Sequence, residues 1–204
     1  LRAAIRAKGG AMQLDIDIED WPPAQALAAD WDALASPEAA TGRAQDPFTT
    51  HRFLAALERS GSTGPGTGWQ AKPLAIHQGD QLLAVTPLYV KSHSQGEYIF
   101  DHGWAEAYER AGGRYYPKLQ IAAPFTPATG PRLLLSDPAF APHLLKGAEA
   151  VCLQNAMSSA HATFIDPAQM PMFEEAGWLP RADIQFHWMN RDYTSFDDFL
   201  GQLS

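Results

Sequence analysis

The stretch AKPLAIHQGDQLLAVTPLYVKS constrains the fold more than any other part of the chain. Two apolar runs flank QGDQ, a turn signal of the kind that closes a β-hairpin. Val85, Leu88 and Val90 mark the second strand. Pro87 within that run predicts an edge position or a bulge, because proline has no N–H to give to an interior ladder.

Around this hairpin the periodicity changes repeatedly. QLDIDI alternates with period two, and PPAQALAADWDALA then places Leu27, Trp31 and Leu34 at helical spacing behind prolines that suit a helix start. DPFTTHRFLAALERSG reads as a helix capped by Thr49 or Thr50, with Phe53, Leu54 and Leu57 on its apolar face and Gly61 as its stop. GSTGPGTGW lacks the Lys followed by Ser or Thr of a phosphate loop and reads as a mobile connection. KLQIAAPF, PRLLL, HATFI and DIQFHWMN are strand-like. DPAFAPHLLKGAEAVCLQNAM is a long helix burying Leu144, Leu145, Ala148, Val151 and Cys152, and DPAQMPMFEEAGW a second one ending at Gly177. Helices inserted into a run of strands predict an α/β or α+β layering of sheet and helices.

Composition narrows the function. In 204 residues, 46% apolar and 19% charged, one folded domain is the default. The net charge of -8 argues against nucleic-acid binding, which depends on Lys and Arg. A single cysteine, Cys152, excludes an internal disulfide and a Cys-rich metal site, and no paired spacing of metal ligands occurs. No apolar run reaches the ~20 residues of a membrane span, and the basic start runs into QLDIDIEDW without an apolar signal core, so the sequence reads as cytoplasmic. Residues 1–11, before Met12, read as an upstream or vector-derived segment.

The segment KSHSQGEYIFDHGWAEAYERAGGRYYPKLQ, Lys91 to Gln120, concentrates hydrogen-bonding side chains among rings. From Asp101 the pattern is helical, with Trp104, Ala107 or Tyr108, and Ala111 on one face, Asp101 placed as an N-cap and Gly112-Gly113 as the stop. Its flanks, SHSQGEY and RYYPK, fall on connections, where binding chemistry is usually mounted. Tyr115 and Tyr116 are expected on a strand, one facing inward and the other a cleft. Ser92 and Ser94 flank His93, but neighbours on an extended chain face opposite ways, so no nucleophile triad follows.

The block PLYVKSHSQGEYIFDHGWAEAYERAGGRYYPKLQIAAPFTPATGPRLL resembles the FemAB-like family of peptidoglycan biosynthesis or recognition proteins, predicted N-acyltransferases of the GNAT superfamily. DPFTTHRFLAALERSGSTGPGTGW and QFHWMNRDYTSFDDFLGQLS resemble the same family in the same order, so most of residues 46–204 is covered. The resemblance implies a GNAT-like mixed sheet flanked by helices, one lobe of a two-lobe protein. Residues 12–194 would form the N-terminal lobe, and 195–204 would begin a helix, capped by Ser195, that leads to a second one.

The resemblance further implies transfer of an acyl or aminoacyl group to an amine, an acceptor that belongs to a cell-envelope precursor. Glu97, Asp101 and His102 are the candidate proton acceptors; His93, Gln95, Arg114, Tyr115, Tyr116 and Lys118 are the candidate substrate-binding residues. The GNAT pyrophosphate loop, Arg/Gln-x-x-Gly-x-Gly/Ala, has its nearest counterpart in RAGGRY, where Tyr115 replaces a small residue at a helix end. No cofactor is therefore expected in this chain, and acyl-CoA would bind in the full-length protein. The expected partner is a small-molecule or peptide/glycan-precursor acceptor, and an exposed interlobe face would allow a homodimer. The competing reading is a non-catalytic peptide- or glycan-binding module.

Overall fold

A computed structural model describes residues 5–9, 12–18, 25–36, 46–99 and 101–203. The hairpin is present as β4 (Leu74–Gln78) and β5 (Gln81–Thr86), and Gly79 at its turn has a φ of 58°. Leu74 faces Thr86 and Gln78 faces Gln81 in antiparallel register, with a bulge at Ile76/His77. Strands β1 (Ile5–Gly9) and β2 (Met12–Ile18) extend this sheet on one side and the two-residue β8 (Leu134–Leu135) on the other, in the order β1-β2-β4-β5-β8. The strand at Ile5–Gly9 lies in the segment that the sequence places ahead of the fold.

Pro87 sits where one sheet ends and another begins. Beyond it, β6 (Leu88–Lys91) joins β3 (Trp69–Ala71), β7 (Lys118–Ile121) and β9 (Ala160–Ala162) in a second sheet of order β3-β6-β7-β9, with β7 and β9 parallel. Because the proline interrupts the ladder there, the chain changes sheets at little cost in hydrogen bonds.

Helices cover both faces of the first sheet. Helix α4 (Ala141–Gln154) sets Leu144, Leu145, Ala148 and Val151 against Leu14, Ile16, Leu74 and Ile76. Gly147 permits this approach, since a Cβ there would stand 2.7 Å from Leu74 Cδ2. On the opposite face α1 (Gln25–Ala35) and α2 (His51–Arg59) bury Trp31, Ala35 and Leu54 against Ala75, Leu82, Val85 and Leu134. Thr50 caps α2 by accepting from the Phe53 N–H, and α2 ends before Gly61, whose φ is 73°. The two prolines predicted to start α1 lie outside the described residues. Helix α5 (Met170–Glu175) closes with Gly177 at a φ of 87°, and α6 (Phe196–Gly201) carries Ser195 as its N-cap. Among the described residues this is a mixed α/β architecture of two sheets and six helices.

Three local expectations are corrected. DIQFHWMN is not a strand: it has no regular structure, with Ile184, Phe186 and Trp188 81%, 94% and 64% exposed, and the described residues pair no strand with it. Alternation alone does not make a strand without an edge to join. Tyr115 and Tyr116 precede β7 instead of lying in it. Helix α3 (His102–Arg110) turns inward Ala105, leaving Trp104 and Tyr108 exposed. GSTGPGTGW, for its part, is a series of turns in which Gly64 N–H donates to Trp69 O at 2.8 Å and Thr67 Oγ1 to Gly64 O at 2.8 Å.

Candidate functional site

The second sheet has two unlike faces because its strands alternate. LYVK and KLQI place Leu88, Val90, Leu119 and Ile121 on one side, joined to the α4 core. The register aligns Trp69, Lys91 and Lys118 in one cross-strand row of the other side, and Ala71, Tyr89, Gln120 and His161 in the next. That polar and aromatic face is nevertheless covered. Residues 92–99 and 101–117, between β6 and β7, fold back over it, and Lys91 and Lys118 are 0% and 1% exposed.

Lys118 uses all three of its ammonium protons. Its Nζ donates to Asp101 Oδ2 at 2.6 Å, Glu97 Oε2 at 2.8 Å and Ser94 Oγ at 2.9 Å. Tyr115 OH donates to the same Asp101 oxygen at 2.8 Å, and Ser94 Oγ and Tyr116 OH share a hydrogen bond of 2.8 Å. Lys91 Nζ stands 3.5 Å from the centroid of the Trp69 ring and donates to Gln95 O at 3.2 Å, while Glu97 Oε1 lies 3.8 Å away. Trp69 Nε1 donates to the same carbonyl at 3.0 Å. Gly96 makes this fold of the loop available: its φ is 78°, and a Cβ would sit 2.5 Å from the Phe125 ring.

The electrostatics follow from burial with imperfect pairing. Burial pulls the Lys91 ammonium down to about 7, against the attraction of Glu97. Burial raises the Glu97 carboxyl more than Lys118 lowers it. Burial also acts upward on Asp101, but the hydrogen bonds of Lys118, Ser94 and Tyr115 outweigh it and hold its carboxyl below the ordinary range. Tyr115 is raised by burial and by its bond to Asp101. His161 is held neutral by burial, its pKa lowered to about 4. Two carboxylate oxygens, Glu97 Oε1 and Asp101 Oδ1, are buried without a hydrogen-bond partner. An unsatisfied charged acceptor is costly inside a protein, and each such atom calls for a water, an ion or a functional role to account for it.

The sequence-predicted residues divide cleanly. Glu97, Asp101, Tyr115, Tyr116 and Lys118 come together in this cluster. Gln95 contributes its backbone carbonyl, and its side chain is exposed. His93 braces the loop, with Nε2 3.1 Å from Thr67 O and Nδ1 accepting from Gln95 N–H at 3.2 Å. His102 and Arg114 are exposed on and after α3. Asp101 holds the cap position of α3 but makes no side-chain capping bond, because its carboxylate turns to Lys118 and Tyr115. Lys91, Ser94, Trp69 and His161 belong to the cluster but are not among the residues that sequence reasoning selects. Only the LYVK and KLQI alternation, with lysines in step with tyrosine and glutamine, signals the first of them.

The family model described as FemAB-like, peptidoglycan biosynthesis/recognition, matches residues 24–204. The chain belongs to the FemAB-like family. No curated protein and no solved structure matches it. The matched FemAB-like region contains every residue of the cluster, from Trp69 to His161. Among the described residues no group of three or more His, Cys, Asp or Glu could hold a metal, and no helix is long and apolar enough to cross a membrane.

Proposed function

We propose that this FemAB-like chain supplies the acceptor side of an N-acyltransferase acting on an amine of a peptidoglycan precursor, on a GNAT-like lobe. The observation that carries the reading is the pair of buried oxygens without a hydrogen-bond partner, Glu97 Oε1, 3.8 Å from Lys91 Nζ, and Asp101 Oδ1, on carboxylates paired with two lysines. An amine needs acceptors for its N–H groups and a base for the proton it loses on attack. Glu97, with its carboxyl raised, is suited to take that proton; Asp101, held ionised, is suited to orient the nitrogen. In the step, the amine nitrogen bonds the acyl carbon and the carbon–sulfur or carbon–oxygen bond of a thioester or ester donor breaks. The proton passes from nitrogen to Glu97 and from Glu97 on to solvent, while the leaving thiolate or alkoxide takes one up from solvent. Access requires residues 92–99 and 101–117 to lift, and α3, which buries Ala105 alone, contributes little apolar contact against that motion.

The test is acyl transfer from acetyl-CoA and from an aminoacyl ester to an amine-bearing muropeptide, with Glu97→Gln and Asp101→Asn beside the parent. Loss of about 10²-fold or more in kcat/KM is expected for Glu97→Gln; equal rates in parent and both variants would remove the reading. The non-catalytic alternative draws on Trp104 and Tyr108, four apart on α3 and 65% and 46% exposed, which offer rings on which a sugar can stack. Muropeptide binding that Trp104→Ala abolishes, without turnover of any donor, would favour it.

A further inference from the structure

We propose that Ser94 and Tyr116 form the path by which protons pass between the buried Lys118–Glu97–Asp101 group and solvent, an inference that rests on reading this group as the proton-handling site. Lys118, Glu97, Asp101, Ser94 and Tyr115 are all buried, and Tyr116 is the half-buried member of the hydrogen-bonded chain. The links are continuous: Lys118 Nζ to Ser94 Oγ at 2.9 Å, then Ser94 Oγ to Tyr116 OH at 2.8 Å. Ser94 accepts from the ammonium, which leaves its own proton free for the phenol oxygen.

Outward transfer breaks one Lys118 N–H bond as Ser94 gains a proton, passes its own to Tyr116 and Tyr116 releases one to water. One proton leaves, Lys118 becomes neutral, and both hydroxyls then rotate back. Inward transfer reverses the same bonds. Lys91 faces the group from β6 and His161 from β9, and neither is hydrogen-bonded to Ser94 or Tyr116. The phenol of Tyr115 points instead to Asp101, away from this route.

The experiment is exchange of the Lys118 ζ-protons with water, followed by NMR on the 15N-lysine-labelled chain, with Lys91 as the internal reference. Tyr116→Phe and Ser94→Ala are expected to slow Lys118 exchange by about a hundredfold, as removal of a proton-transfer group does. Ser94→Thr, which keeps the hydroxyl, is expected to restore it, while Lys91 exchange and the backbone-amide exchange of residues 92–99 stay unchanged. Unchanged Lys118 exchange in both hydroxyl-deleted variants would overturn the proposal. So would slowing matched by an equal change in those backbone amides, which would report opening of the covering segment. Exchange is measured without substrate, so absence of acyl transfer would sink the functional reading and leave this result standing.

Discussion

Replacing Lys118 by Met tests whether the cluster is held by its charges or merely tolerates them. The methionine fills much of the same volume, so packing changes little, but three hydrogen bonds vanish, two of them to carboxylates at 2.6 and 2.8 Å. Glu97 and Asp101 would then remain buried with two negative charges and Lys91 as their cationic neighbour. Breaking a buried pair in this way costs about 3–5 kcal/mol, far more than the loss of one neutral hydrogen bond. In a domain of this size that corresponds to a fall in Tm of about 10 °C. Urea denaturation at pH 7 measures it directly. Adding Asp101→Asn to Lys118→Met is expected to recover about 1–3 kcal/mol relative to additivity, because the orphaned charge is gone. A single-variant cost under about 1 kcal/mol, or strict additivity in the double variant, would refute the argument that the ammonium compensates these carboxylates.

Two further outcomes follow from the same geometry. The Lys91 pKa, lowered to about 7, lies below its unfolded value, so the folded chain binds fewer protons between that pH and the ordinary lysine range. Stability should therefore rise from pH 7 to pH 9, by at most about 1.4 kcal/mol per pH unit, and urea midpoints of Lys91→Met should lack that rise. Gly96→Ala places a Cβ 2.5 Å from the Phe125 ring at a φ of 78°, and thermal melts should show a loss of about 2 kcal/mol or more, the left-handed strain and the clash adding together.

The regular elements were largely legible because their signals are local. QGDQ announces the β4–β5 turn, Thr50 and Ser195 cap their helices, and Gly61 and Gly177 sit at helix ends with φ of 73° and 87°. The buried side of α4 could be read from helical spacing: Leu144, Leu145, Ala148, Val151 and Cys152 are all buried. The structure departs from the local pattern where that pattern depends on a distant partner. Ile184, Phe186 and Trp188 alternate as a strand does, but the described residues offer them no ladder. Trp104 and Tyr108 share a helical stripe with apolar residues, yet α3 rests on the small side chain of Ala105.

The candidate site shows the same division. Residue type and local crowding singled out Glu97, Asp101, Tyr115, Tyr116 and Lys118, since a run so rich in polar and aromatic groups is unusual beside a strand. Lys91 could not be found that way, because an isolated lysine at a strand end is ordinarily solvated. Its role depends on register: Lys91 opposite Lys118 and Trp69 is a relation among three strands distant in sequence. The alternation in LYVK and KLQI already determined that the second sheet would have one apolar and one polar face. Whether the polar face met water or protein was decided in three dimensions, where residues 92–99 and 101–117 fold over it. Burial is what converts ordinary lysines and carboxylates into a coupled set, because charges interact strongly only once the water between them is gone.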